Sequence, residues 1–215
     1  EILLINDGST DNSGKMCDEY SEKDHRVKVF HNHNHGIAYT RNFGLSKVSG
    51  EWIVFVDSDD WIEERALSEM LGFIIKENAD IAFFDFYSNS DIYMSQPINR
   101  DDQRRIIIDI LQNKTLGVLW NKIFKASIFR DYNVSFFPNI NYSEDVLVLI
   151  RLLNQPIRIG YQNQAFYHYV MNIASLTSMV SKEMINQRIR FVTKLDKLLV
   201  EYLKMSKEYS LWHKL

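Results

Sequence analysis

The sequence predicts an α/β domain built on a mainly parallel sheet, and three features support that fold class. Residues 2–5 and 52–56 are continuous apolar, β-favouring runs, as is typical of strands buried on both faces of a parallel sheet. Apolar residues recur at helical spacing over about 36–47 and 63–77. Strands that alternate with helices in this way indicate a layered sheet with right-handed crossover connections.

The other elements follow from local signals along the chain. A turn after the first strand leads to a helix that carries Met16 and Tyr20, and a short strand follows at 27–30. The pattern of the second half is weaker. It predicts strands at 80–86 and within 156–169, and helices at about 101–112, 144–153 and 182–207.

Composition excludes several classes of protein. The 215 residues include 25 Lys and Arg against 28 Asp and Glu, so no overall basic field favours nucleic acid as a partner. Cys17 is the only cysteine, which excludes an intrachain disulfide framework and fits a reducing compartment. No apolar run approaches the roughly 20 residues that span a bilayer. We therefore expect a soluble, cytoplasmic protein.

The strongest chemical signal is the acidic segment Asp57-Ser58-Asp59-Asp60, directly after the second apolar run. Loops at the carboxyl ends of strands form the binding crevice of an open α/β sheet. Three carboxylates within four residues repel each other unless a cation or hydrogen-bond donors compensate. Carboxylates at i and i+2 suit Mg²⁺ or Mn²⁺, which complete their shells with water and phosphate oxygens. Alternatively, Asp59 or Asp60 caps a helix beginning near Ile62.

Five segments follow one another along the chain: Ile5-Asn6-Asp7-Gly8-Ser9-Thr10-Asp11, then Asn34-His35-Gly36 with Arg41-Asn42 and Gly44, then Phe55-Val56-Asp57-Ser58-Asp59-Asp60-Trp61, then Leu119-Trp120-Asn121-Lys122, and finally Ser143-Glu144-Asp145. In this order they resemble the motifs of glycosyltransferase family 2, the enzymes of bacterial capsule and exopolysaccharide assembly. Ser175-Leu176-Thr177 extends the resemblance to about residue 177. Each motif is weak alone, and their common order makes the match specific.

The resemblance implies a GT-A fold, a three-layer αβα sandwich that binds a nucleoside-diphosphate sugar, usually a UDP-sugar, and inverts the anomeric centre in one displacement. It assigns Asp7 to the nucleobase, Asp57 to the ribose or a metal-bound water, and Asp59 to the Mn²⁺ or Mg²⁺ that neutralises the leaving group. Asp145 would accept the proton of the attacking hydroxyl, and Glu144 would hold it in position or tune its pKa. Both carboxylates also suit the first turn of a helix, where the helix dipole favours negative charge.

Other residues of these motifs have alternative roles. The resemblance places Ser9 in the same nucleotide-binding turn as Asp7. Arg41 either contacts a phosphate or forms a structural ion pair. Trp120 and Lys122 would line the acceptor groove, where an aromatic ring stacks on sugar and an ammonium meets phosphate, but Trp120 suits core packing equally well.

The histidines give a weaker signal for a metal site. His31, His33 and His35 would share one face of an extended strand, but the Asn and Gly residues between and after them favour a solvated turn. His168 lies between two tyrosines, where a buried, hydrogen-bonded histidine is the commoner case. We therefore place no metal ligand among these four residues.

The chain departs from the family pattern in two ways. Asn6 stands where many members have a second aspartate, and Thr40 where alanine is common. The chain also opens at what would be the family's second strand. We therefore expect a catalytic domain over residues 1–177 that lacks the first strand and helix. Residues 178–215 would form a helical extension that packs on the domain, mediates association into a homo-oligomer, or precedes further chain.

The implied partners are a nucleotide-sugar donor and a saccharide or lipid-linked saccharide acceptor, and the latter implies peripheral association with the inner face of the membrane. Two other functions stay open. Nucleotidyl transfer also uses carboxylates and a divalent ion at strand ends, but it needs a basic phosphate loop that the sequence near the first strand lacks. The third alternative is a non-catalytic nucleotide-sugar-binding fragment.

Overall fold

The computed structural model describes residues 1–89, 92–171 and 181–203, and it has the predicted α/β composition. The described strands are β1 (Ile2–Asn6), β2 (Val27–His31), β3 (Trp52–Val54), β4 (Trp61–Ile62), β5 (Ile81–Ser88), β6 (Ile92–Met94), β7 (Lys122–Lys125) and β8 (Ile159–Tyr169). The described helices are α1 (Ser13–Lys23), α2 (Ile37–Lys47), α3 (Ala66–Glu77), α4 (Gln103–Leu111), α5 (Ser127–Asp131), α6 (Glu144–Leu153) and α7 (Lys182–Leu203). The motif Ser175-Leu176-Thr177 lies outside the described residues.

The strands form a parallel two-stranded sheet, β1 with β2, and a mixed six-stranded sheet in the order β3-β7-β5-β8-β4, with β6 paired to β5. The four longest strands pair in parallel, β1 with β2 and β5 with β8, whereas the short strands β3, β4, β6 and β7 pair antiparallel. Because β7 is antiparallel to both β3 and β5, strands β3, β5 and β8 run in the same direction. Their carboxyl ends therefore meet at one edge of the main sheet.

No hydrogen-bonded strand joins the two sheets within the described ranges, because β1 pairs only with β2 and β3 pairs only with β7. Glu1 links the sheets instead. Its Oε1 accepts hydrogen bonds from the Ser49 and Gly50 amides just before β3, and its Oε2 pairs with Lys28 of β2. The expectation that the domain lacks the family's first strand and helix stays a prediction.

The main core lies between the sheet and the second-half helices. Strand β5 is buried over its first six residues, and α6 buries its apolar face against it in the same cluster. Three leucines of α7 are buried in this cluster: Leu195, Leu198 and Leu199. Helix α7 therefore packs on the domain, which is one of the three roles expected for residues 178–215. The boundary at residue 177 stays a prediction.

One helix begins later than the sequence pattern predicted. Helix α3 starts at Ala66 rather than near residue 63, because Trp61 and Ile62 pair with His168 and Tyr167 of β8 as strand β4. Its buried side of Ala66, Met70 and Ile74 then packs in the second core cluster. Among the described helices, none is both long enough and apolar enough to cross a membrane.

Candidate active site

The acidic loop, residues 57–60, lies where the sequence predicted, at the carboxyl end of β3. Asp59 is exposed, and the side chain of Asp57 is 37% exposed. Asp60 differs, because its Oδ2 accepts a hydrogen bond from the Tyr167 hydroxyl at 2.6 Å and its Oδ1 accepts one from the Val170 amide at 2.8 Å. Burial raises the pKa of Asp60, and these two hydrogen bonds act against that shift. Asp60 thus fixes the loop to β8.

The alternative role of the acidic loop as a helix cap is wrong. Helix α3 begins at Ala66, six residues after Asp60, and no side chain caps its first turn. The intervening strand β4 occupies the position where the sequence suggested a helix start. Asp59 is consequently left with an exposed carboxylate at the edge of the sheet.

Arg41 joins the acidic loop to the second half of the chain. Its Nη1 donates to Glu144 Oε1 at 2.5 Å, and its Nη2 lies 3.3 Å from Asp57 Oδ1. The Arg41 side chain is 11% exposed, and its guanidinium packs over the Phe136 ring. Of the two roles expected for Arg41, the structure shows the ion pair.

Glu144 and Asp145 form the first turn of α6, directly after Ser143 in a left-handed conformation at φ +49°. Burial raises the pKa of Glu144 to about 7, with Arg41 acting against the rise and Asp145 adding to it. Burial also raises the pKa of Asp145, which Arg41 and Lys122 oppose. Since Asp57 raises both pKa values too, the three carboxylates and Arg41 form one electrostatic cluster.

Trp120 and Lys122 are buried and do not line a groove, so the prediction that they face the acceptor is wrong. The Lys122 side chain is fully buried, and its ammonium donates to Leu116 O, Val118 O and Asn121 Oδ1 at 2.6 to 3.2 Å. Burial lowers the pKa of Lys122 to about 7, while Asp145 acts to raise it. Trp120 is 5% exposed and stacks on Tyr167 in the third core cluster.

Asp7 fixes the turn before α2. Its Oδ1 accepts from the His35 amide at 3.0 Å, and its Oδ2 accepts from the Gly36 amide at 2.8 Å. Gly36 has φ +87°, a conformation that favours glycine. Ser9 is exposed, and its amide donates to Asn6 Oδ1. One carboxylate therefore holds the turn after β1 to the turn that precedes the Arg41 helix.

The three alternating histidines are exposed. His31 contacts Asn6 and Asp18, while the His35 ring packs at a tilt of 45° against Tyr39. Within the described ranges, no three His, Cys, Asp or Glu side chains are grouped closely enough to hold a metal ion by themselves. His168 is buried, and its Nε2 lies 2.7 Å from Glu63 Oε1.

Tyr167 is the main residue of the site that the sequence did not single out. Its hydroxyl accepts from the Asp57 amide at 3.1 Å and donates to Asp60, so it holds both ends of the acidic loop. Burial and the bond to Asp60 raise its pKa. Tyr167 is more than a hundred residues from the loop in sequence, and only the β4–β8 pairing brings them together.

A cavity of about 480 Å³ lies away from this cluster. It is lined by the end of α2, the start of β3 and the residues after β7, including Leu45, Ile53 and Phe129. The acidic loop follows the opposite end of β3. The candidate site is thus an exposed edge of the sheet, separate from this cavity.

Comparison with known proteins identifies the family. The model of glycosyl transferase family 2 matches residues 1–134, more than half of the chain. The sequence is 30% identical over 192 residues to the putative glycosyltransferase EpsH of Bacillus subtilis, covering 86% of this chain and 56% of that protein. The chain belongs to glycosyltransferase family 2. It spans little more than half the length of EpsH.

Solved structures show the same fold. TarS residues 1–349 of Staphylococcus aureus in complex with UDP-GlcNAc superpose with a TM-score of 0.71 at 19% identity, covering 99% of this chain and 65% of that one. The mannosyltransferase PcManGT of Pyrobaculum calidifontis in complex with GDP-Man and Mn²⁺ gives a TM-score of 0.57 at 14% identity, covering 96% of this chain and 56% of that one. The predicted GT-A fold is confirmed.

Proposed function

We propose that this chain is the nucleotide-sugar-binding and catalytic part of an inverting glycosyltransferase. It moves a sugar from a nucleoside-diphosphate donor, a UDP-sugar, to the hydroxyl of a saccharide or lipid-linked saccharide. The observation that carries this proposal is the Arg41 bridge, which brings the acidic loop after β3 against Glu144 at the start of α6. Family membership and the UDP-GlcNAc complex of TarS support the donor class.

The acidic loop fits a divalent cation. Asp59 is exposed and Asp57 is partly so, and Mg²⁺ or Mn²⁺ needs only one or two carboxylates when water and phosphate oxygens complete its shell. Asp59 would be the ligand, with Asp57 on the nucleotide side. An ion held there would neutralise the negative charge that develops on the leaving diphosphate. Mn²⁺ is present in the PcManGT complex.

Asp145 is the base that takes the proton from the acceptor hydroxyl. Burial raises its pKa above the ordinary value, so its carboxylate holds a proton more strongly than an exposed aspartate does. Glu144 suits this role less well, because Arg41 pairs with its Oε1 and its side chain is 7% exposed. Glu144 and Arg41 together position the base beside the acidic loop.

Asp7 and Ser9 would meet the nucleotide at the other side of the acidic loop. Each oxygen of Asp7 accepts one backbone hydrogen bond and keeps a lone pair for a ligand donor. Asp7 thus holds its turn in shape before the nucleotide binds. The exposed hydroxyl of Ser9 follows directly in the same turn.

Calorimetry with UDP, GDP and CMP, with and without Mn²⁺, tests the donor site. We expect metal-dependent binding of UDP, which Asp59→Ala abolishes and which the exposed control Asp131→Ala retains. Asp145→Asn should bind the donor normally and lose transfer by about 10²- to 10⁴-fold. If none of the three nucleotides binds in a metal-dependent way, the proposal fails. Pyrophosphate release from a nucleoside triphosphate would show nucleotidyl transfer instead.

A lipid-linked acceptor would bring the protein to the cytoplasmic face of a membrane. Transfer to an acceptor embedded in lipid vesicles, compared with transfer to the same saccharide free in solution, tests this part of the proposal. Faster transfer to the free saccharide would contradict it.

A further inference from the structure

An exposed tryptophan follows the acidic loop directly. Trp61 is the first residue of β4, and it is 46% exposed although it is one of the largest apolar side chains. One face of its ring stacks on His168 at 3.5 Å between centroids and an angle of 8°. His168 in turn stacks on Tyr87 at 4.6 Å. We call these three rings the aromatic stack, and Trp61 is its outer member in the described part of the chain.

The aromatic stack is held in place before any ligand binds. Trp61 is paired with His168 in the β4–β8 ladder, and Asp60 next to it is bonded to Tyr167 and Val170. Glu63 holds the His168 ring in place, with 2.7 Å between Glu63 Oε1 and His168 Nε2. A rigid aromatic side chain loses little conformational entropy when it contacts a ligand. The ring is therefore preorganised as a binding surface.

Its position connects the aromatic stack to the site already described. Trp61 is two residues from Asp59, the proposed metal ligand, but it lies on β4, at the opposite edge of the main sheet from β3. The proposed nucleotide residues follow β1, in the other sheet. A ligand on Trp61 would thus be near the reacting sugar and on the far side from the nucleobase.

The charges around Trp61 select the kind of ligand. Asp57, Asp59 and Glu63 surround it in sequence, and the Glu63 side chain is 46% exposed. Such an acidic setting disfavours an anionic lipid surface. A pyranose ring is uncharged, its C–H groups suit the negative face of an aromatic ring, and its hydroxyls can donate to carboxylates. These properties favour a sugar.

We propose that Trp61 is the stacking surface for one pyranose ring of the acceptor saccharide, with the Glu63 carboxylate accepting a hydrogen bond from a hydroxyl of that ring. This proposal rests on the proposed function in one respect, that the acceptor is a saccharide. It adds a residue that determines which acceptor is bound and how its reactive hydroxyl is directed toward the acidic loop.

The first measurement is independent of activity. Saturation-transfer NMR would be recorded on the full chain with the methyl glycosides of glucose, galactose and N-acetylglucosamine as probes. We expect the wild type and Trp61→Phe to give a signal from at least one probe, and Trp61→Ala to lose it. Tyr20→Ala, at an aromatic on α1 that is 58% exposed, is the control and should keep it. No signal from the wild type, or an unchanged signal in Trp61→Ala, overturns the proposal.

The second measurement separates this proposal from the proposed function. In a transfer assay with UDP-sugars and the bound glycoside, Trp61→Ala should raise the acceptor KM by about three- to tenfold and leave the donor KM unchanged. Glu63→Gln should raise the acceptor KM as well, with thermal unfolding used to verify folding of each variant. A wild type that binds the glycoside but transfers no sugar contradicts the proposed function alone. A transfer-competent Trp61→Ala with an unchanged acceptor KM contradicts only the role of Trp61.

Discussion

Arg41 and Glu144 form a nearly buried ion pair, with 2.5 Å between Nη1 and Oε1 and side chains 11% and 7% exposed. The two residues are 103 positions apart, on α2 and α6. A buried pair of this kind is expensive to break by removing one partner, because the other charge is left without compensation. The pair therefore links the two halves of the site both in position and in stability.

A double-mutant cycle on this pair should show strong coupling. Arg41→Ala leaves Glu144 buried and unpaired, and we expect it to lower the free energy of unfolding by about 3 to 5 kcal/mol. Adding Glu144→Gln to Arg41→Ala should restore part of that loss, because no buried charge then remains. Urea unfolding of the four proteins measures the coupling, expected to exceed about 1 kcal/mol. Additive effects of the two substitutions would contradict this account.

The stability of the protein should depend on pH through Glu144. Its pKa is raised from 4.5 to about 7 by burial, so the folded protein holds this proton more tightly than the unfolded chain does. The stability that results is fully present below the unfolded pKa and is lost as the pH rises through about 7. Relative to Glu144→Gln, the wild type should thus become less stable from about pH 4.5 to about pH 7.5.

Urea unfolding midpoints across that pH range measure this effect. Glu64→Gln, at an exposed position on the loop before α3, is the control and should follow the wild type at every pH. A constant difference between the wild type and Glu144→Gln across the range would show that this carboxyl does not carry the raised pKa.

Removal of the Tyr167 hydroxyl should loosen the acidic loop. Tyr167→Phe leaves Asp60 and the Asp57 amide with one partner fewer, and we expect a loss of about 1 to 3 kcal/mol in the free energy of unfolding. Metal-dependent UDP binding should weaken as well, because the loop that carries Asp59 is less well fixed. Tyr132→Phe is a suitable control, since the Tyr132 hydroxyl makes no hydrogen bond within the described ranges. Unchanged stability and unchanged UDP binding would contradict this role.

Two glycines should respond in opposite ways to alanine. Gly36 has φ +87°, and a Cβ there would lie 2.4 Å from Asn141 Nδ2, so Gly36→Ala should cost about 1 to 2 kcal/mol or more. Gly72 lies inside α3 with nothing within 4 Å of its would-be Cβ, so Gly72→Ala should stabilise the protein by up to about 1 kcal/mol. Thermal unfolding of the two variants compares them. A neutral Gly36→Ala would indicate that the turn before α2 can relax.

The sequence predicted the parts of this structure that depend on local pattern. The apolar run at 2–5 forms β1, and the first three residues of the run at 52–56 form β3, so that the acidic segment follows a strand as expected. Strand β4 was missed because two residues are too short to show a period, and its existence depends on pairing with β8. The ion pairs of Arg41 could not be predicted for a related reason, because the spacing of residues along the chain does not show which helices pack together.

Lys122 shows how a family motif can mislead about position. Its match to the motif suggested a phosphate contact. However, β7 is an inner strand of the sheet, and the ammonium of Lys122 donates hydrogen bonds to the carbonyl oxygens of Leu116 and Val118. Nothing in the sequence around Lys122 marks those carbonyls as acceptors, because their direction is set by the loop that precedes β7. The burial of this lysine is a result of tertiary structure.

Lys122→Met should therefore act on stability and on Asp145 rather than on the donor. The change leaves Leu116 O, Val118 O and Asn121 Oδ1 without their donor, and we expect the free energy of unfolding to fall by about 2 to 4 kcal/mol. It also removes a charge that lowers the pKa of Asp145, so that pKa should rise and the acid limb of the pH–rate profile should move to higher pH.

Calorimetry should find UDP binding unchanged in Lys122→Met at a temperature where the variant is folded. Lys125→Met, at the partly exposed end of the same strand, is the control for loss of a positive charge. A large loss of UDP affinity in Lys122→Met with normal stability would mean that the ammonium meets the diphosphate after all.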